Sequence, residues 1–160
     1  MFGITGAIRR GLMTAAVAAA VAAAVGGVSM ARAGGSGDRT VTLTEVQTGG
    51  TFINVRHSKG PKAGDEFAFH AKLKNHEGTT VGSLDAICTL VLHARLQCEG
   101  TARLSGGTLA LSAGIPAGDN VRTTHVAIVG GTGRYDRAHG QMTSTTTGST
   151  TSRDVFDIDL

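Results

Sequence analysis

Val126-Ala127-Ile128-Val129-Gly130-Gly131-Thr132-Gly133-Arg134-Tyr135 is the stretch on which the fold class turns. A strand running into a glycine-rich turn is how dinucleotide-binding folds cradle a pyrophosphate. That arrangement needs a third spaced glycine and a helix behind it, inside a βαβ unit. Asp136 stands where the third glycine belongs, and the 27 residues after Gly133 are Thr-rich and strand-like. No Lys-Ser/Thr pair follows the glycines, as a phosphate loop requires. Nucleotide binding is therefore set aside. The segment reads as a tight glycine turn between two strands.

The rest of the chain agrees with an all-β reading. Val41 and Leu43 alternate with threonines, and Phe67, Phe69, Ala71 and Leu73 alternate with Glu66, His70 and Lys72. Leu109 with Leu111, Val126 with Ile128, and Phe156 with Ile158 and Leu160 repeat the pattern. A period of two marks strands with one buried face. Turn-like clusters stand at His76-Glu77-Gly78, Ser105-Gly106-Gly107, Pro116 to Asn120 and Gly148-Ser149. Their spacing suits short strands joined by hairpins. That argues a sandwich or a closed barrel, and the pattern alone leaves both open. The Ser/Thr-rich stretch Thr143–Ser152 reads as a β-branched strand and turn leading to a last strand.

Cys88 and Cys98 are the only cysteines. The segment between them reads as a hairpin folding about His93, which sets Cys88 opposite Cys98 and Leu90 opposite Leu96. Opposed residues on antiparallel strands lie about 4.5–5.5 Å apart at Cα, a separation a disulfide accepts. A reactive thiol at Cys88 is the rival reading; it needs a nearby cation, for which His93 is the nearest candidate in sequence.

The N-terminus carries Arg9 and Arg10, then the uncharged, Ala- and Val-rich run Leu12–Val28, then Met30-Ala31-Arg32-Ala33. A charged start, an apolar middle and a small-residue exit compose a secretory signal, with cleavage expected after Ala33. The apolar run is near the minimum for a membrane span, but its Ala-rich character favours cleavage and no lasting anchor. The expected organisation is a signal over residues 1–33, a flexible lead over 34–39 and one domain over 40–160, in a secreted, extracellular protein. Losing Arg9, Arg10 and Arg32 leaves twelve basic residues against twelve acidic ones. The mature chain is neutral and has no basic patch, which excludes nucleic acid as a partner. The oxidising destination supports the disulfide. The six histidines are scattered without metal-ligand spacing, so no metal site is expected.

A strand, Gly130-Gly131-Thr132-Gly133, the aromatic Tyr135, and Ala138-His139-Gly140 together resemble the C-terminal motif of the allene oxide cyclase and dirigent family. Gly64-Asp65-Glu66 through Leu73, Val81-Gly82, Ile87-Cys88 and Cys98-Glu99-Gly100-Thr101 resemble other segments of that family. The resemblance spans roughly Thr40–Leu160. It implies an eight-stranded antiparallel barrel, often assembled as a homotrimer, around an apolar cavity. It also implies cyclase, isomerase or stereo-directing chemistry on a small apolar molecule, with no cofactor. The barrel would act as a mould favouring one folded conformer. A non-catalytic secreted ligand carrier, or a surface barrel, is the alternative.

Within that resemblance Glu45-Val46-Gln47 matches the Glu-x-Asn of the cyclases, with Gln47 in place of Asn. Ala71 stands where a second polar cavity residue is expected, and His139 replaces the Arg of the dirigent Ala-Arg-Gly. A lumenal carboxyl at Glu45 would have a raised pKa and act as acid or base. His139 is the second candidate proton carrier. Gln47, Phe67 and Phe69 are the expected ligand-binding residues. Convergent polar groups in the lumen would favour an enzyme, and an all-aliphatic lumen a carrier.

Overall fold

The computed structural model describes residues 37–57, 59–118 and 121–160. The signal expected over residues 1–33 lies outside them, as do residues 34–36 of the lead. Eight strands follow in chain order: β1 (Arg39–Ile53), β2 (Glu66–Lys74), β3 (Thr80–Val91), β4 (Arg95–Leu104), β5 (Gly107–Pro116), β6 (Thr123–Gly133), β7 (His139–Thr146) and β8 (Thr151–Asp159). Each pairs antiparallel with the next, and β1 pairs with β8, so the sheet closes into a barrel. Closure decides between the two architectures that alternation left open, because it leaves no free edge.

The period of two places one residue in two inside. Phe67, Phe69, Ala71 and Leu73 of β2 point inward, as do Ser152, Asp154, Phe156 and Ile158 of β8. Bulges interrupt β1 between Gln47 and Gly49 and the β5–β6 ladder between Ala110 and Leu111. Such extra residues bend a strand and sharpen its twist, which helps a sheet close on itself.

The two ends of the barrel differ. At the lower end, where the β2–β3, β4–β5 and β6–β7 connections lie, Leu73, Leu109, Phe156 and Ile158 are wholly buried. Each such side chain contributes about 1.5–3 kcal/mol by leaving water. Tyr135 and Ala138, from the β6–β7 connection, are buried there too and cover that end. The glycine motif explains how. Gly130–Gly133 are the last residues of β6 rather than the turn itself, and the turn falls on 134–138. A Cβ at Gly131 would collide with the backbone carbonyls of Tyr135 and Thr108, and Gly133 has φ +62°. Glycine is needed because backbone passes over backbone at this point.

At the upper end the β1–β2 connection, residues 54–65, is long. Buried Asp65 organises it, accepting hydrogen bonds from the backbone N–H of Val55 (3.0 Å) and Lys62 (2.8 Å). Backbone bonds from Gly64 N–H to Leu90 and from Leu90 N–H to Asp65, each 2.7 Å, tie this connection to β3. The β3–β4 hairpin pairs Cys88 with Cys98 and Leu90 with Leu96, and its turn takes positive φ at His93 and Ala94. Cys88 and Cys98 form a disulfide.

Candidate active site

The upper half of the lumen is a cavity. It reaches from Leu84 and Met142 at its floor to Ile115, Val121, Thr124 and Thr146 near the rim. The volume open to water centres is ≈ 80 Å³, several times the roughly 10–15 Å³ that one water requires. Its wall is dominated by apolar side chains, among them Phe67 and Phe69, whose rings stack with centroids 5.9 Å apart. The Cys88–Cys98 disulfide forms part of the same wall.

Into this apolar chamber β1 delivers one acid. Glu45 follows Val41 and Leu43 on the inward face, and its register partner across the closing seam is Ser152 of β8. Two residues further along β8 is Asp154, opposite Leu43 on β1 and opposite Ser144 on β7. Glu45, Ser152 and Asp154 are each 0% exposed, and Ser144 is buried. Glu45 and Ser144 line the cavity, and Asp154 sits behind them.

Burial pushes the Glu45 carboxyl up to about 10, and the Asp154 charge beside it acts in the same direction. Burial raises Asp154 to about 6, against the opposing influence of Ser144 and Glu45. The groups lie close enough to alter one another's proton affinity. Protonated Glu45 donates to Asp154, and Ser144 also acts on Asp154. Beyond these contacts, among the described residues, no donor meets an oxygen of either carboxyl and the Ser152 hydroxyl has no partner. Two carboxyls so coupled titrate as a unit. At neutral pH they hold one proton and one negative charge between them. Buried polar groups are normally partnered, so unmet capacity of this kind in a cavity marks a place where a ligand or water completes the set.

The expected site residues divide by position. Glu45, Phe67 and Phe69 face one cavity, together with both cysteines. Gln47 does not line the cavity; it is half-buried, its Nε2 lying 3.5 Å from the Gly49 carbonyl. His139 is on the outer surface at the lower end, with its imidazole 70% exposed and 3.7 Å from Asp159. The Cys88–Cys98 bond leaves no thiol in the cavity wall, so the reactive-thiol reading of Cys88 gives way to the disulfide. Asp154 was not among the expected residues. The signal for it was the alternation of Phe156 and Ile158, which, carried back along β8, puts Asp154 and Ser152 on the same inner face. Among the described residues no group of three or more His, Cys, Asp or Glu could hold a metal ion.

No protein-family model and no curated protein matches the sequence. Solved structures do match. A pyocyanin demethylase is similar over 74% of this chain and 99% of its own, at 22% identity and a TM-score of 0.65. A pterocarpan synthase dirigent protein is similar over 80% of this chain and 88% of its own, at 20% identity and a TM-score of 0.61. A Diels-Alderase from Streptomyces koyangensis is similar over 77% of this chain and 69% of its own, at 11% identity and a TM-score of 0.61. The three names describe different chemistries on one scaffold, so the scaffold is what they share with this chain. By fold, the chain is an eight-stranded closed barrel of the dirigent type.

Proposed function

We propose that this barrel is a secreted enzyme that takes a small, largely apolar molecule into its lumen and cyclises or isomerises it, with Glu45 as the acid/base. The observation that carries the reading is a wholly buried carboxyl facing an apolar cavity, with a second carboxyl behind it. Neutral Glu45 can give a proton to the ligand, and the ionised Asp154 beside it favours return of a proton to the pair. The Phe67–Phe69 wall supplies shape, restricting a flexible ligand to few conformers. Both tasks are within the reach of side chains. The names of the structural neighbours support the reading, since each describes a protein acting on or shaping a small organic molecule. The disulfide supports the extracellular location. Homotrimer assembly belongs to the same reading.

Native mass spectrometry of the secreted protein tests both assembly and occupancy, because a retained ligand shows as added mass. With that ligand identified, its conversion is followed with wild type and Glu45→Gln. The expected loss in kcat is roughly 10²–10⁴-fold, the usual yield of a positioned acid/base, with KM little changed. Unchanged turnover in Glu45→Gln removes Glu45 from the chemistry. A ligand that is retained and never converted returns the protein to the carrier alternative.

A further inference from the structure

We propose that the ligand of this cavity is a compact organic cation, a protonated amine or a charged nitrogen heterocycle, with its nitrogen against Glu45 and its apolar body against Phe67 and Phe69. The proposal rests on the lumen being a small-molecule site and adds the charge of the molecule that enters it.

Apolar and hydroxyl side chains surround the two acids. On β1 the inward neighbour is Leu43, and on β8 the neighbours are Ser152 and Phe156. On β7 they are Ser144 and Met142, and on β2 Leu73 faces Glu45 across the ladder. None is basic. Among the described residues that line the cavity there is no Lys, Arg or His. Glu99 borders it from an exposed position of β4 and adds no buried charge. The lumen therefore encloses acidity that no protein cation offsets.

A buried charge without a partner is costly, and proteins pair such charges or bind something that does. A neutral donor such as a phenol would satisfy one oxygen and leave the charge in place. An anion would be repelled by it. A cation meets both the unpartnered oxygens and the charge. The walls suit the same molecule, because Phe67, Phe69 and Met142 line the cavity, and aromatic rings and thioether sulfur are favourable neighbours for a cation. When the cation seats, the proton of the pair moves from Glu45 to Asp154, the acid behind it, so that with this class of ligand Glu45 starts the acid/base cycle as the base. The negative charge then lies on Glu45, opposite the nitrogen, and the number of protons on the pair is unchanged.

Three probes of nearly one shape separate charge from size: N-methylpyridinium, toluene and benzoate. Isothermal titration at neutral pH is expected to show N-methylpyridinium binding at least about tenfold tighter than toluene, with benzoate weakest. In the double variant Glu45→Gln/Asp154→Asn, which removes the charge of the pair, the ratio of cation to toluene affinity should fall towards one. Ala113→Phe, which fills the lumen, should abolish binding of both. Toluene binding wild type as well as the cation does overturns the charge proposal and leaves the apolar lumen standing. Failure of all three probes to bind overturns the lumen reading and the charge proposal with it. Cation binding that survives in Ala113→Phe puts the cation elsewhere and also overturns it. The comparison of probes in wild type decides the matter even if a variant fails to fold.

Discussion

Asp154 of β8 lies diagonally across the closing seam from Glu45 of β1, so that two wholly buried carboxyls from the two ends of the chain share one environment. The last strand must reach the first for this pair to exist. The catalytic reading of the lumen thus depends on the same β1–β8 ladder that closes the barrel.

That relationship sets a pH dependence of stability. Both carboxyls have folded-state pKa values raised above their unfolded ones, to about 6 for Asp154 and about 10 for Glu45. The folded state then binds more protons than the unfolded state, and its stability falls as pH rises. The pair's contribution is fully present below about pH 4, where both states are protonated. It declines through about 6 and on towards about 10. The slope is at most about 1.4 kcal/mol per pH unit for each proton. Urea denaturation across this range should show wild type losing stability with pH, and Glu45→Gln should lose markedly less. Parallel curves for the two proteins would mean that Glu45 is not held protonated.

The glycine motif makes a sharper pair of substitutions. A Cβ at Gly130 meets nothing within 4 Å, whereas one at Gly131 collides with two backbone carbonyls. Gly130→Ala should be tolerated to within about 1 kcal/mol. Gly131→Ala should cost about 3 kcal/mol or more, since backbone has to move. Thermal melts of the two variants test this, and equal losses would contradict the close approach of β6 to Tyr135.

Asp65 supplies a test of the upper end. Its carboxylate accepts from two backbone N–H groups of the β1–β2 connection. Asp65→Ala strands both donors and should cost about 2–4 kcal/mol. Hydrogen exchange at Val55 and Lys62 should rise ahead of exchange in the strands. Unchanged protection there would show that the connection is held by its ties to Leu90 alone.

The disulfide closes a loop of sequence separation 10. Replacing both cysteines with alanine should lower stability by about 2–3 kcal/mol, the loop-entropy value for so short a closure. Because both residues line the cavity, the same variant should also admit slightly larger ligands. A Tm unchanged from that of oxidised wild type would rule out the stabilising role.

Much of the barrel was legible because its information is local. The alternation on β2 and β8, the turn clusters at 76–78, 105–107 and 148–149, and the Cys88–Cys98 register all follow from nearest-neighbour rules, and the β3–β4 pairing has the expected partners. Closure was not legible from periodicity. It depends on β1 meeting β8, a pairing between residues more than a hundred positions apart, and only the family resemblance pointed to it. Glu45 could be singled out from its strand and motif. Asp154 could not be paired with it, because an inward position on β8 says nothing of its distance from β1 until the ladder is drawn. The glycine motif was misplaced by one step. The sequence reads as a glycine turn, but crowding between backbones requires those glycines at the end of a strand, and Arg134 to Ala138 make the turn.

Tyr135 and Ala138, buried at the lower end, make the lumen a cul-de-sac on that side, so under the proposed function a guest enters and leaves by the upper end. A long, unsymmetrical guest goes in with one end leading and has no room to reverse. Which of its ends meets Glu45 is decided at the threshold, before any proton moves. If the barrel converts its guest as proposed, the product backs out along the path by which its precursor came, and a slow departure keeps the next molecule waiting outside.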